Sequence, residues 1–238
     1  KYRRGVIQRP KGWGKSPFLS AIAAFEALGN CRFAGWDANG RPVGAPWNAE
    51  RKVEISLLAV SEDQTRNAFE PMKEMMGTDH LAAYFPGLEV METRILLPFN
   101  GMIKPRTASA ASFEGTPQVF TIADQTETWL PNNGGVELGA VAKRNMSKTD
   151  GTLLEAPNAF VPGAGSFAEL TWEAYQKAIA GDSFRDSIFY DTRDWGEPDL
   201  DDPNSVIAGL EHAYGDSLKS AHGCRIHTPP CGVDGSPY

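Results

Sequence analysis

Gly14, Lys15 and Ser16 are the residues of this sequence whose types and order indicate the most specific chemistry. They follow a short apolar run, Tyr2 to Gln8, and precede a segment with helical periodicity, so we expect a turn between a strand and a helix. Backbone N–H groups at the start of a helix bind phosphate oxygens, and glycine lets the backbone approach them closely. Lys15 would contact the β- and γ-phosphates of ATP, and Ser16 would bind its Mg²⁺.

The phosphate-binding loop departs from the common pattern G-x-x-x-x-G-K-[ST] at one position, because Arg9 stands where the first glycine is expected. Gly12 inside the loop supplies backbone freedom in its place. The alternative is a glycine-containing turn that carries lysine and serine by chance. We predict that the loop binds nucleotide through Arg9, Pro10, Lys11, Gly12, Trp13, Gly14, Lys15 and Ser16.

A second candidate site follows the apolar run Val119 to Ala123, which ends at Asp124. ATPases of this kind hold Mg²⁺ with an aspartate at the carboxyl end of a buried strand, so we predict Asp124 as a metal ligand together with Ser16. Gln125 stands where many such ATPases have a glutamate that activates water. Glu127 is our candidate for the general base; alternatively Gln125 orients the attacking water, and Glu127 is an exposed loop residue.

The elements that would position these residues alternate between short apolar strands and helices, a pattern typical of an α/β domain with a mostly parallel sheet. Gly35 to Pro46 is rich in glycine, proline and asparagine, which predicts a loop. We predict strands at Tyr2–Gln8, Val53–Val60, Arg94–Leu97, Val119–Ala123, Thr152–Glu155 and Ile188–Asp191, and helices at Pro17–Leu28, Asp63–Met76, Val136–Arg144, Phe167–Ala180 and Pro203–Tyr214.

The composition limits the class of protein. Hydrophobic residues make up 41% of the 238 residues, as in an ordinary globular domain, and no apolar run approaches the ~18–20 residues that span a bilayer. The net charge of −7 argues against a protein that coats nucleic acid through bulk positive charge. No apolar leader opens the chain and the three cysteines suggest no disulfide framework. We therefore expect neither secretion nor a membrane.

The motifs together resemble the phage terminase large-subunit family. The matching stretches begin with Arg9–Pro17 and Ser61–Thr65 and continue through Ala123–Trp129 and Leu154–Asn158, and Tyr190–Arg193 is similar to the region that joins motor and nuclease. The resemblance implies a three-layer αβα P-loop ATPase of the additional-strand type, which drives double-stranded DNA into procapsids. It also implies a ring of identical subunits, a portal protein and a small terminase subunit as partners, and the host cytoplasm as location.

The resemblance adds roles for two residues. Arg9 matches the basic residue that the family carries in its divergent loop, and Asn158 falls where a polar residue senses the γ-phosphate, although a turn cap is equally consistent with its position. The predicted catalytic set is therefore Arg9, Lys15, Gln125, Glu127 and Asn158.

The segment after the motor differs in composition. We predict a motor domain over residues 1–190, followed over residues 191–238 by an acidic linker, a short helix and a tail. These residues are too few for the family's nuclease, and we interpret Asp199, Asp201 and Asp202 as a solvated linker instead of a two-metal site. We therefore expect Mg²⁺-dependent ATPase activity without nuclease activity in this chain.

Several alternatives stay open at this level. A helicase-like DNA motor is one, and a nucleotide-binding module that does not hydrolyse ATP is another. Lys143, Arg144 and Lys148 fit a DNA contact, an arginine finger for a neighbouring subunit or favourable charge at a helix C-terminus. The tail combines residue types that suit zinc, but their spacing matches no zinc finger: His222, Cys224, His227 and Cys231.

Overall fold

The computed structural model of the protein describes residues 2–107, 113, 115, 117–181 and 188–215. The chain divides into two compact units, one comprising residues 1–8 and 15–192 and the other residues 9–14 and 193–238. The first unit holds an eight-stranded sheet and its flanking helices. None of the helices in the described ranges has both the length and the apolar character that crossing a membrane requires.

The sheet of the first unit is mixed but mostly parallel, as the sequence predicts. Its strands are β1 (Arg4–Gln8), β4 (Glu54–Leu58), β5 (Glu89–Val90), β6 (Ile95–Leu97), β7 (Gly101–Arg106), β8 (Phe120–Asp124), β9 (Thr152–Ala156) and β10 (Ile188–Thr192). Their order in the sheet is β10-β1-β9-β8-β4-β7-β6-β5, and the first six strands of that order run parallel while β6 and β5 are antiparallel additions.

One strand, β9, lies between β1 and β8 and hydrogen-bonds to both. This is the additional strand that the resemblance implies, since it separates the strand before the phosphate-binding loop from the strand that ends at Asp124. Asp124 lies beside Ala156 in the register of β8 and β9. The residues that follow these two strands therefore share one edge of the sheet.

Helices cover both faces of the sheet in the first unit. They are α1 (Lys15–Leu28), α2 (Glu62–Met76), α3 (Asp79–Tyr84), α4 (Gly135–Thr149) and α5 (Phe167–Ile179). Alternate residues of a strand point to opposite faces. Ile122 and Leu154 accordingly pack in one core with α1 and α2, while their neighbours Ala123 and Leu153 pack in a second core with α4. The predicted three-layer αβα fold is thus confirmed.

The second core has little spare room where α4 passes the start of α5. Phe167 is 2% exposed, stacks on Trp129 with ring centroids 5.8 Å apart, and lies directly against Gly139 of α4. A β-carbon at position 139 would clash with the Phe167 ring. The glycine therefore allows the close approach of helix and ring that closes this core.

A buried ion pair joins β1, β9 and α5. Glu155 is fully buried, and Arg4 donates to its Oε1 at 3.0 Å. Thr171 of α5 donates to the same carboxylate, and Arg4 also donates to the Thr171 hydroxyl at 2.8 Å. Burial raises the pKa of Glu155, and Arg4 opposes that rise by favouring the charged form.

The segment predicted as a loop from Gly35 to Pro46 instead contributes to a β-hairpin, made of β2 (Arg32–Trp36) and β3 (Pro42–Ala45). Its turn is stabilised by the Asp37 carboxylate, which accepts the backbone N–H groups of Asn39 and Arg41 at 2.8 Å each. Gly40 supplies the left-handed conformation of the turn, with φ of 72°. The glycines and prolines that predicted irregular backbone thus stand in and around a two-stranded ribbon.

The second unit contains the helix α6 (Pro203–Tyr214) and the loop of residues 9–14. Asp202 caps the helix by accepting the N–H of Asn204 at 3.0 Å, and Pro203 occupies the first helical position, as predicted.

Candidate nucleotide-binding site

The loop of residues 9–14 has the backbone conformation that its glycines predict. Gly12 and Gly14 have φ values of 84° and 98°, which residues with a side chain adopt only at a cost. The Trp13 N–H donates to the Pro10 carbonyl at 3.3 Å, closing a turn. The Arg9 guanidinium lies over the Trp13 ring at 5.3 Å from its centroid. Within the same unit, the Tyr214 hydroxyl donates to the Lys11 carbonyl at 2.9 Å.

Lys15 and Ser16 are the first residues of α1, the position at which a phosphate-binding lysine and serine are expected. Both residues are half-buried. The Ser20 hydroxyl donates to the Ser16 carbonyl at 2.9 Å, which secures the first turn of the helix. The Lys15 ammonium donates to Asn158 Oδ1 at 2.5 Å, so the lysine reaches the loop that follows β9.

Asn158 and Glu127 contact each other through two hydrogen bonds. The Asn158 backbone N–H donates to Glu127 Oε2 at 3.0 Å, and Asn158 Nδ2 donates to Glu127 Oε1 at 2.5 Å. Asn158 therefore joins the cation of Lys15 to the carboxylate of Glu127. The structure brings together three predicted site residues whose sequence positions are far apart.

Asp124 ends β8 and is 5% exposed. The pKa of its carboxyl is raised to about 6, mainly by burial, and the nearby charge of Glu127 acts in the same direction. Lys15 and the Gln125 backbone N–H act in the opposite direction and favour the charged form. Lys15, Asp124 and Glu127 thus lie close enough to influence one another electrostatically.

Gln125 adopts a left-handed backbone conformation, with φ of 52° and ψ of 47°, at the start of a short 3₁₀ turn, Thr126–Thr128. The Gln125 N–H donates to the Ala156 carbonyl at 3.2 Å, and its own carbonyl accepts from Thr128. Its side-chain oxygen accepts a hydrogen bond from Gln64 Nε2 at 3.0 Å. Sequence reasoning assigned no role to Gln64, although the residue lies in the Ser61–Thr65 stretch that carries the resemblance.

The indole of Trp129 anchors the segment that carries these acids. Trp129 is fully buried, and its Nε1 donates to the Asp124 backbone carbonyl at 3.0 Å. Its ring stacks on Phe167 as described above. Trp129 and Phe167 therefore hold the end of β8 and the turn that follows it in place, which preorganises Asp124 and Glu127.

The other charged candidates take part in local contacts. Arg144 donates to Glu137 of the same helix at 3.0 Å, and the Lys143 ammonium lies 5.3 Å from the Phe167 ring centroid. Asp199 and Asp202 accept backbone N–H groups in turns of the second unit. Among the residues that the structure describes, no group of His, Cys, Asp and Glu side chains could hold a metal ion by itself. The Cys/His tail after residue 215 lies outside the described residues.

No protein-family model matches the chain. Two Gene 13 proteins of mycobacteriophages are similar in sequence: that of Mycobacterium phage L5 is 36% identical over 224 residues, and that of Mycobacterium phage D29 is 34% identical over 212 residues. The matches cover 88% and 87% of this chain. The chain spans only 37% and 34% of the length of these two relatives.

A crystal structure of the HK97 bacteriophage large terminase has the same fold, with a TM-score of 0.62 and 14% sequence identity. The superposition covers 87% of this chain and 39% of the HK97 protein. The mostly parallel sheet with helices on both faces is therefore an α/β fold that this chain shares with the HK97 protein. The resemblance to the phage terminase large subunit that the sequence motifs indicate is thereby confirmed at the level of the fold.

Proposed function

We propose that this chain is the Mg²⁺-dependent ATPase motor of a phage terminase large subunit, which drives double-stranded DNA into procapsids. The observation that supports this most directly is the contact of Lys15 with Asn158 and of Asn158 with Glu127, beside the enclosed carboxylate of Asp124. Phosphoryl transfer to water requires a cation, a polar group near the phosphate, a carboxylate that can act as base and an oxygen ligand for the metal, and these four residues are of those types.

The Mg²⁺ site would consist of Ser16 and Asp124. Burial disfavours the charged form of Asp124, and a bound divalent cation would remove that penalty, so the donor set fits a hard cation that prefers oxygen ligands. When bound, Mg²⁺ would neutralise charge on the phosphate oxygens. Lys15 would bind the same phosphates, and Arg9, Pro10, Lys11, Gly12, Trp13 and Gly14 would complete the phosphate-binding loop that precedes it in sequence.

The hydrolytic step would use Glu127 as the general base. A water oxygen would attack the γ-phosphorus and pass a proton to the Glu127 carboxylate, while the bond to the β–γ bridging oxygen breaks to give ADP and phosphate. Glu127 is favoured over Gln125 because a carboxylate can accept that proton and an amide cannot. Asn158 would sense the γ-phosphate, because its side chain contacts both the phosphate-binding Lys15 and the general base Glu127.

The motor function adds partners to the ATPase. We propose that the complete protein acts on double-stranded DNA in the host cytoplasm, as a ring of identical subunits assembled with a portal protein and a small terminase subunit. The HK97 protein of the same fold is a large terminase, which supports this assignment.

The rate of ATP hydrolysis, measured with and without linear duplex DNA, tests this proposal. We expect Mg²⁺-dependent turnover that DNA stimulates. The motor assignment would be contradicted if duplex DNA did not change the rate of ATP hydrolysis in an assembled complex with portal protein. Stimulation by single-stranded DNA alone would favour a helicase-like motor.

A further inference from the structure

Gln64 contacts Gln125, the residue that directly follows the proposed metal ligand Asp124. Its Nε2 atom donates to Gln125 Oε1 at 3.0 Å, and the two glutamines are 61 positions apart in the sequence. The contact joins the start of α2 to the end of β8, which are brought to the same edge of the sheet because β4, the strand before α2, pairs with β8. The contact therefore lies beside the residues that we propose for hydrolysis.

The backbone that carries Gln64 is firmly held. The Ser61 hydroxyl caps α2 by accepting the Gln64 N–H at 3.3 Å, and the Ser61 carbonyl accepts both the N–H of Thr65, at 3.1 Å, and its hydroxyl, at 2.7 Å. Thr65 is buried against the core. The first turn of α2 is therefore a rigid support for the Gln64 side chain.

The backbone of Gln125 is held as well. Its N–H donates to Ala156 and its carbonyl accepts from Thr128, in a left-handed conformation that residues with a side chain rarely adopt. Only the side-chain torsions of Gln125 are left to be fixed, and Gln64 fixes them by holding Oε1. Among the described residues no hydrogen bond uses Gln125 Nε2, so its two donors are available to another group.

The pair is not arranged for stability alone. Gln64 Oε1 is enclosed and has no hydrogen-bond partner among the described residues. An enclosed acceptor without a partner disfavours the folded state. A glutamine kept at such a cost, with its amide on the neighbour of a proposed metal ligand, fits a role in the reaction better than a role in packing.

We propose that Gln64 is a positioning residue for ATP hydrolysis: it holds the Gln125 amide so that Gln125 Nε2 donates to a γ-phosphoryl oxygen during attack by water. This inference rests on the proposed function. The donor stabilises the negative charge that the phosphoryl oxygens carry in the transition state. Gln64 does not itself contact the nucleotide in this scheme, and its whole effect passes through Gln125.

The experiment compares kcat and KM for ATP in this chain, in five variants and in one further variant that guards against a folding defect. They are Gln64→Ala, Gln64→Glu, Gln125→Ala, the double variant with alanine at both positions, and Gln176→Ala. The last is a matched control, because Gln176 is an exposed glutamine on α5. Gln64→Met, which keeps the side-chain volume, is added so that a folding defect of Gln64→Ala leaves a usable measurement. Each variant is first checked for its unfolding midpoint.

We expect Gln64→Ala and Gln64→Met to lower kcat by about tenfold or more, with KM changed by less than about twofold, because only orientation in the transition state is lost. Gln64→Glu is expected to lower kcat similarly, since an ionised carboxylate cannot donate to Gln125 Oε1. The double variant should have the same kcat as Gln125→Ala. Gln176→Ala should match the parent chain.

Three results would overturn the inference. One is an unchanged kcat in Gln64→Ala. Another is a fall in kcat from Gln64→Ala that is equally large in the parent chain and in the Gln125→Ala variant, which would mean that Gln64 does not act through Gln125. A rise in KM with unchanged kcat would assign Gln64 to ground-state binding instead. If these results appear in a chain whose ATP hydrolysis is abolished by Lys15→Ala, the proposed function stands and only the role of Gln64 fails. A parent chain without turnover would refute both.

Discussion

Asn158 holds both carboxylate oxygens of Glu127, with its backbone N–H on Oε2 at 3.0 Å and its side-chain Nδ2 on Oε1 at 2.5 Å. The same side chain accepts from Lys15 at 2.5 Å. A substrate phosphate that binds Lys15 would compete with Asn158 for the ammonium group. The arrangement therefore connects phosphate binding to the position of the proposed general base through a single amide.

Asn158→Ala should lower kcat by about tenfold to a hundredfold while ATP affinity changes by only a few-fold. The substitution removes the side-chain bonds to Glu127 and Lys15 but leaves the backbone bond to Oε2. Steady-state hydrolysis and equilibrium binding of a fluorescent ATP analogue separate the two effects. Asn39→Ala, on the exposed turn of the hairpin, is the control. A kcat equal to that of the parent chain would mean that Asn158 only caps its turn.

Asp124→Asn should raise the free energy of unfolding at pH 7.5 in the absence of Mg²⁺. Because burial raises the pKa of Asp124 from 3.8 to about 6, the folded chain binds its proton more tightly than the unfolded chain does. The stability of the parent chain therefore falls as the pH rises through this range. Above about pH 6 the ionised carboxylate costs of the order of 3 kcal/mol, since each pKa unit corresponds to about 1.4 kcal/mol.

Urea unfolding at pH 4.5 and 7.5 in EDTA measures this cost. The advantage of Asp124→Asn should shrink at the lower pH, where the parent carboxyl is largely protonated, and the same variant should lose ATP hydrolysis. Asp63→Asn, on the exposed first turn of α2, should leave stability nearly unchanged at both pH values. An Asp124→Asn chain less stable than the parent at pH 7.5 would refute the assigned cost.

Arg4→Ala should destabilise the first unit by about 3–5 kcal/mol, because it leaves the fully buried Glu155 carboxylate without its cation. The neighbouring Arg3 provides a matched comparison. It pairs with Asp150 at the surface, where both side chains are about half exposed, so Arg3→Ala should cost at most about 1 kcal/mol. Urea unfolding measures both variants. Equal effects of the two substitutions would contradict the assigned difference in burial.

Gly139→Ala should destabilise the chain by about 1–3 kcal/mol although alanine favours helix, because the new methyl group meets the Phe167 ring. Thermal unfolding measures the effect. Phe167→Leu should be destabilising alone, yet the two substitutions together should cost less than their sum, since the smaller side chain admits the methyl group. Additive effects would show that the helix and the ring are not in contact.

The sequence predicts the parts of the fold whose signals are local. β8 appears as an apolar run that ends in one carboxylate, α1 follows Gly14 and begins at Lys15, and α6 has both its cap and its proline. β7 was not predicted, because Lys104, Pro105 and Arg106 interrupt its apolar character. Pro105 is tolerated since the antiparallel partner β6 pairs only with residues 101–103 of β7.

The side-chain contacts of the site could not be predicted from the sequence. The types of Lys15, Asn158 and Glu127 indicated their chemistry, but their contacts depend on which strands are neighbours in the sheet. β9 lies beside β8, and this order brings residues 127 and 158 together. Gln64 carried no chemical signal of its own, and only the pairing of β4 with β8 gives it a partner.

Phosphate release from ATP by the parent chain, by Lys15→Ala and by Glu127→Gln, measured with Mg²⁺ and again in EDTA, tests the central claim most directly. We expect Mg²⁺-dependent turnover in the parent chain, none in Lys15→Ala, and a loss of about a hundredfold or more in Glu127→Gln with ATP binding retained. Turnover that persists in Glu127→Gln would assign the general base elsewhere. The proposed ATPase site would be contradicted if Lys15→Ala still hydrolysed ATP, or if the parent chain did not hydrolyse it.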